Sequence, residues 1–180
     1  MLETDAELVA LDALLERSFA AAGPHLTGII APQRRLTARQ LAAYLVGVQH
    51  FVVATTTASG EPRCSAVDTL FVHGRIWFST SGTSAKARHL ERRPALSAAH
   101  VVGDDVGIFV HGTARVVRGA TEEAATLAPH WREVYGGTPE DWVEQPEDAR
   151  YVEIVPASMY TYAFDQGRFE ALLAERRPAT

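Results

Sequence analysis

Apolar positions along this chain repeat with a helical period up to about residue 48 and alternate with period two from 51 to 117. They turn helical again and end on one more alternating stretch at 150–164. Leu8, Leu11, Leu15 and Phe19 form an apolar stripe behind Thr4 and Glu7, which stand at capping-box spacing, so a helix is predicted over residues 4–20. Gly23–Pro24 stops it, and 21–35 reads as a loop. A second helix starts at Thr37, with Gln40 three residues on. Leu41, Tyr44, Leu45 and Val48 then recur at i, i+3, i+4 and i+7.

The alternating segments are 51–57, 63–71, 75–80, 95–102 and 106–117, all rich in β-branched and aromatic residues. Turn-like connections join them at 58–62, 73–74 and 103–105. A short helix at 83–92 interrupts the series, with Ala87 and Leu90 facing inward. A longer helix runs from Thr121 to Tyr135 and ends at Gly136–Gly137. Thr138-Pro139-Glu140-Asp141 reads as the cap, N1 proline and acidic first turn of another helix. A last strand, 150–164, precedes a C-terminal helix. Six short strands with helices at the ends and one inserted predict a mainly β (α+β) domain, a small antiparallel β-barrel with peripheral helices. Neither a glycine-rich turn after the first strand nor regular strand–helix alternation is present, so a Rossmann fold is not expected.

Composition narrows the classes. The 180 residues fit one domain, at 47% hydrophobic and 22% charged. No apolar run approaches the ~20 residues of a membrane span, and Met1–Phe19 is acidic and unlike a secretory signal. The lone cysteine, Cys64, excludes an internal disulfide and fits a reducing compartment, so a cytoplasmic location is expected. A net charge of −5 argues against nucleic acid as a partner.

Candidate chemistry concentrates at residues 78–94, FSTSGTSAKARHLERRP, where a strand gives way to hydroxyls and then to a cationic helix start. Unpaired N–H groups there favour an anion. Thr83 and Ser84 can donate, and Lys86 and Arg88 supply charge. The alternative is an ordinary capped surface helix. Yet a cation in a first helical turn opposes the macrodipole, so Lys86 asks for a compensating partner. Arg63 begins the second strand, with Ser65 and Val67 on its face and Asp68 on the other. The seven histidines form no HxH or HExxH pair. His100 and His111, on successive strands, could share a pocket. No metal site is expected, and no side chain is assigned as a catalytic acid, base or nucleophile.

Segments 52–67 (VVATTTASGEPRCSAV), 74–101 (GRIWFSTSGTSAKARHLERRPALSAAHV), 110–117 (VHGTARVV), 135–142 (YGGTPEDW) and 150–162 (RYVEIVPASMYTY) together resemble the pyridoxamine 5′-phosphate oxidase-like, FMN-binding split-barrel superfamily. The resemblance covers about residues 37–165. Outside it, residues 1–36 are expected to be an N-terminal helix-and-loop extension of the same single domain, placed where it could cover the dimer or narrow a substrate mouth. Over 37–180 the resemblance implies a six-stranded antiparallel split β-barrel. It implies a homodimer with FMN, or the deazaflavin coenzyme F-420, between protomers, and a hydride exchanged with a small organic substrate. Haem carriage, or flavin carriage without turnover, is the alternative. By position, Ser84 and Lys86 would bind the cofactor phosphate, with Arg63 assisting and Arg88 a further candidate. Ser79 and Thr80 would contact phosphate or ribityl oxygens, and Cys64, Ser65 and Val67 would line the ring edge. His100, His111 and Tyr162 are further pocket candidates. Ala85 stands where vitamin B6 phosphate oxidases carry arginine, and their C-terminal substrate motif is absent, which counts against that substrate.

Overall fold

The computed structural model describes residues 2–176. Thr4 caps α1 (Asp5–Ala20) by a capping box with Glu7. Thr37 caps α3 (Ala38–Tyr44) in the same way with Gln40. Between them, residues read as loop contain α2 (Pro24–Ile29) and a 3-10 turn, Pro32–Arg34. Pro24 starts this helix rather than ending a structure, because its missing N–H costs nothing at the first helical position. The second helix is shorter than its apolar period implied: it stops at Tyr44, and Val48 lies beyond it, past Gly47 at φ +73.

Six strands follow: β1 (Gln49–Thr56), β2 (Pro62–Val72), β3 (Arg75–Ser81), β4 (Ala95–Val102), β5 (Val106–Arg118) and β6 (Ala149–Ala163). They close an antiparallel barrel in the order β1-β2-β3-β6-β5-β4. The tight β2–β3 turn puts His73 at φ 52 and Gly74 at φ 73, the left-handed pair that matches strand twist. Closure is uneven. β5 and β6 pair along nearly their whole lengths. By contrast, β1 meets β4 only through Val52–Ala54, and β2 meets β3 only through Thr69–Val72. On the β3 side, therefore, residues 62–68 of β2 have no strand partner among the described residues.

α4 (Ala85–Arg92) lies between β3 and β4, and α5 (Glu122–Tyr135) between β5 and β6. Ala87 and Leu90 of α4 are buried. α5 ends on Gly136 in the left-handed conformation. The expected helix at 138–141 is a single 3-10 turn, Pro139–Trp142. Asp141 there closes the box with Thr138, which holds its carboxyl below the usual range. α6 (Gln166–Arg176) follows the last strand.

One core fills the barrel and continues into α1, α3 and α6, through residues such as Leu11, Leu15, Leu41, Tyr44, Phe51, Phe78, Ile108 and Phe169. α1 is stitched to β6 where the buried Ser18 hydroxyl accepts from Met159 N–H at 3.0 Å and donates to Leu14 O at 2.7 Å. A second, smaller core lies on the outer face of β2, β3, β5 and β6 beneath α5, with Trp77, Leu127, Trp131 and Tyr151. No helix among the described residues is long and apolar enough to cross a membrane.

Candidate functional site

Alternation along β3 decides which hydroxyls meet. Ile76 and Phe78 point into the barrel core, and Thr80 follows on their face. Trp77 points out under α5, and Ser79 follows there. Ser79 Oγ accepts from the indole N–H of Trp131 at 3.1 Å. Thr80 instead donates to Ser84 Oγ at 3.1 Å and accepts from Lys86 Nζ at 3.5 Å. Ser84 is the N-cap of α4 and accepts from Ala87 N–H at 3.2 Å.

Thr80, Ser84 and Lys86 therefore form one cluster at the start of an eight-residue helix. Lys86 is half-buried, and among the described residues it makes no ion pair. Its charge, unfavourable beside a helix N-terminus, meets only a hydroxyl. That combination suits an anion. The turn feeding it, Ser81–Thr83, is fixed by Thr83 N–H on Ser81 Oγ (3.1 Å) and by Gly82 N–H on Asp148 O (2.6 Å).

α4 then crosses β1. His89 Nδ1 lies 2.9 Å from Thr55 Oγ1, and Arg93 Nε donates to Thr56 O at 2.9 Å. Arg93 thus holds the helix down on the barrel. Thr55 pairs across strands with Arg63, so α4 reaches the β2 hairpin end. The Arg63 guanidinium itself is exposed and turns to Glu61 at 3.3 Å. Arg88 is exposed on α4 and donates to Thr83 O.

The three β2 residues assigned together to a ring edge do not share a face. Cys64 points outward and is exposed. Val67 points inward and is buried in the barrel core, and Ser65 lies on its side, half-buried. Asp68 follows Cys64 outward, where it meets His50 Nε2 at 3.2 Å and the Tyr135 hydroxyl at 3.5 Å. Burial and the Asp68 charge push the Tyr135 phenol up to about 12.

His100 and His111 do not share a pocket. The barrel wall separates them. His100 is buried inside, 2.9 Å from the Tyr44 hydroxyl and 2.8 Å from His50 O. His111 is exposed on the outer face, with Nδ1 2.8 Å from Ser97 Oγ. Tyr162 is half-buried opposite Gly107, stacked near Phe109. Among the described residues, no three His, Cys, Asp or Glu side chains group as ligands for a metal ion.

Sequence reasoning missed Arg150 and Glu91, whose side chains meet at 2.7 Å behind the cradle turn. An arginine opening a buried strand was a signal. Its partner, 59 residues away, was not readable from spacing.

The family model described as pyridoxamine 5′-phosphate oxidase matches residues 37–163, which hold the whole barrel and the cradle. The chain belongs to this oxidase family. No protein with a curated description matches it. Among solved structures it is similar to a conserved hypothetical protein from Mycobacterium tuberculosis, at 22% identity and TM-score 0.61, over 73% of this chain and 88% of that one. It is similar also to the haem storage protein HutZ of Vibrio cholerae, at 17% identity and TM-score 0.58, over 72% and 95%. A haem binding protein from Mycobacterium smegmatis matches at 18% identity and TM-score 0.52, over 75% and 58%. At these identities the likenesses show the oxidase family's split-barrel fold and nothing finer.

Proposed function

We propose that the protein is an FMN-binding oxidoreductase that works as a homodimer. The observation that carries this reading is Lys86, half-buried, with no carboxylate partner among the described residues, and sharing the Thr80 hydroxyl with the cap of α4. A phosphate monoester fits that donor set: one ammonium, two hydroxyls and the free N–H groups of a helix start. The unpartnered β2 edge at 62–68 supports placing the flavin ring beside it. Backbone N–H and C=O groups there suit the alternating donors and acceptors of the ring's imide. When bound, the flavin supplies hydride exchange at N5 with a small organic substrate. The chain's own side chains hold the phosphate, orient the ring and exclude water.

A second copy of the chain is the natural cover for the outer face of β1, β2 and β4. Val52 and Val101 stand 48% and 53% exposed there beside Ala54, Ala66 and Ala99.

Purified protein titrated with FMN is expected to quench flavin fluorescence at one site per protomer. Activity is then read with reduced nicotinamide and a panel of organic acceptors. Absence of FMN binding would sink this reading. A deazaflavin bound in its place would keep the cradle and change the cofactor. A second reading, haem carriage without turnover, draws on His111, whose Nδ1 is engaged by Ser97 while the ring stands exposed. A Soret band that His111→Ala abolishes would establish it.

A further inference from the structure

We propose that Arg150 is a positioning residue of the anion cradle, acting through Gly82 and α4; this rests on the phosphate-cradle reading above. Arg150 is 7% exposed and pairs with Thr80 across β3 and β6. Its Nε donates to Glu91 Oε1 at 2.7 Å, and one terminal nitrogen donates to Glu147 O at 2.6 Å and Ala149 O at 3.0 Å. A single planar fork thus ties α4 to the segment that opens β6. Glu91 lies two helical turns beyond the cap Ser84, so the tie sets the tilt of α4 as well as its position.

Gly82 completes the arrangement. Its φ is not in the left-handed region, so the backbone does not ask for glycine there. The guanidinium does, because a Cβ on Gly82 would come within 2.7 Å of Arg150 Cζ and of its other terminal nitrogen. Gly82 N–H is held from the other direction by Asp148 O at 2.6 Å. The turn between Thr80 and Ser84 is thereby pressed flat against Arg150, and both hydroxyls inherit their placement from it. Glu91 balances the Arg150 charge, so its contribution to the cradle is geometry rather than field.

The test compares FMN with riboflavin, which lacks the phosphate, on wild type, Gly82→Ala, Arg150→Lys and Glu91→Gln, by flavin fluorescence quenching. Wild type is expected to prefer FMN. Gly82→Ala and Arg150→Lys should weaken FMN by roughly ten- to a hundred-fold, as loss of a ligand's supporting shell does, and leave riboflavin within about twofold. Amide exchange should quicken at 82–87 but not in the barrel strands. Glu91→Gln keeps an acceptor for Nε and should retain most of the preference. If the variants keep the wild-type FMN-to-riboflavin ratio, or lose both ligands equally, the positioning role is overturned and the cradle stands. If wild type itself does not distinguish the two flavins, the cradle reading fails first, and this role with it. Should Arg150→Lys not fold, Gly82→Ala carries the test, since it leaves the buried pair chemically intact.

Discussion

Ser79 and Thr80 are neighbours on β3 with opposite duties. The Ser79 hydroxyl takes the Trp131 indole N–H beneath α5, and the Thr80 hydroxyl joins Ser84 and Lys86 at the start of α4. Strand alternation separates two hydroxyls that look interchangeable in the sequence.

Their substitutions should therefore separate stability from binding. Ser79→Ala strands the Trp131 N–H of the second core and should cost about 1–3 kcal/mol, with FMN affinity unchanged. Thr80→Val should leave the melting temperature close to wild type and weaken FMN by about fivefold, the worth of roughly one hydrogen bond. Thermal melts and flavin titration read the two effects. The reverse pattern would refute the assignment.

Lys86→Ala should lower FMN affinity by about 1.5–3 kcal/mol, the range for a charge-assisted hydrogen bond. Because the ammonium stands in the first turn of α4 with no carboxylate partner among the described residues, its removal should also stabilise the empty protein slightly, by about 0.3–1 kcal/mol. A melt in the absence of flavin checks the sign. Destabilisation on losing Lys86 would mean that the side chain is structural.

Ser18 joins α1 to the barrel by accepting from Met159 N–H. Ser18→Ala leaves that buried donor unpaired and should cost about 1–3 kcal/mol, without changing FMN affinity. Denaturant unfolding gives the number, and a neutral result would mean that α1 is held by apolar packing alone.

Tyr135, raised to about 12 by burial and by Asp68, stays neutral in the fold at pH values where it ionises in the unfolded chain. A phenol with a raised folded value lends stability that is complete below its ordinary value of 10.0 and lost as pH climbs from there towards 12. Tyr135→Phe should flatten this part of the alkaline loss. Tyrosinate absorbance of both proteins, followed with stability across that range, provides the check. An unchanged alkaline profile would remove Tyr135 as its source.

The proposed dimer covers the exposed Val101 on the outer face of β4. Val101→Asp should convert a dimer to a monomer in analytical ultracentrifugation and weaken FMN with it. A wild-type protein that sediments as a monomer would defeat the two-protomer site directly.

The elements were legible along the chain because their signals are local. Alternation at 51–117, the capping boxes Thr4–Glu7 and Thr37–Gln40 and the Ser84 cap each act within a few residues, and all hold in the fold. The sequence misled where local signals were ambiguous. Gly23–Pro24 reads equally as a stop or a start, and the period through Val48 outran the helix. Which side chains face one another was left to the tertiary structure. Barrel closure set Arg150 against Glu91 and Gly82, put His100 inside the wall and His111 outside it, and paired β2 at 62–68 with β1 but not with β3. Those relations depend on register and on packing between strands far apart in the chain. Spacing along one segment carries no information about them.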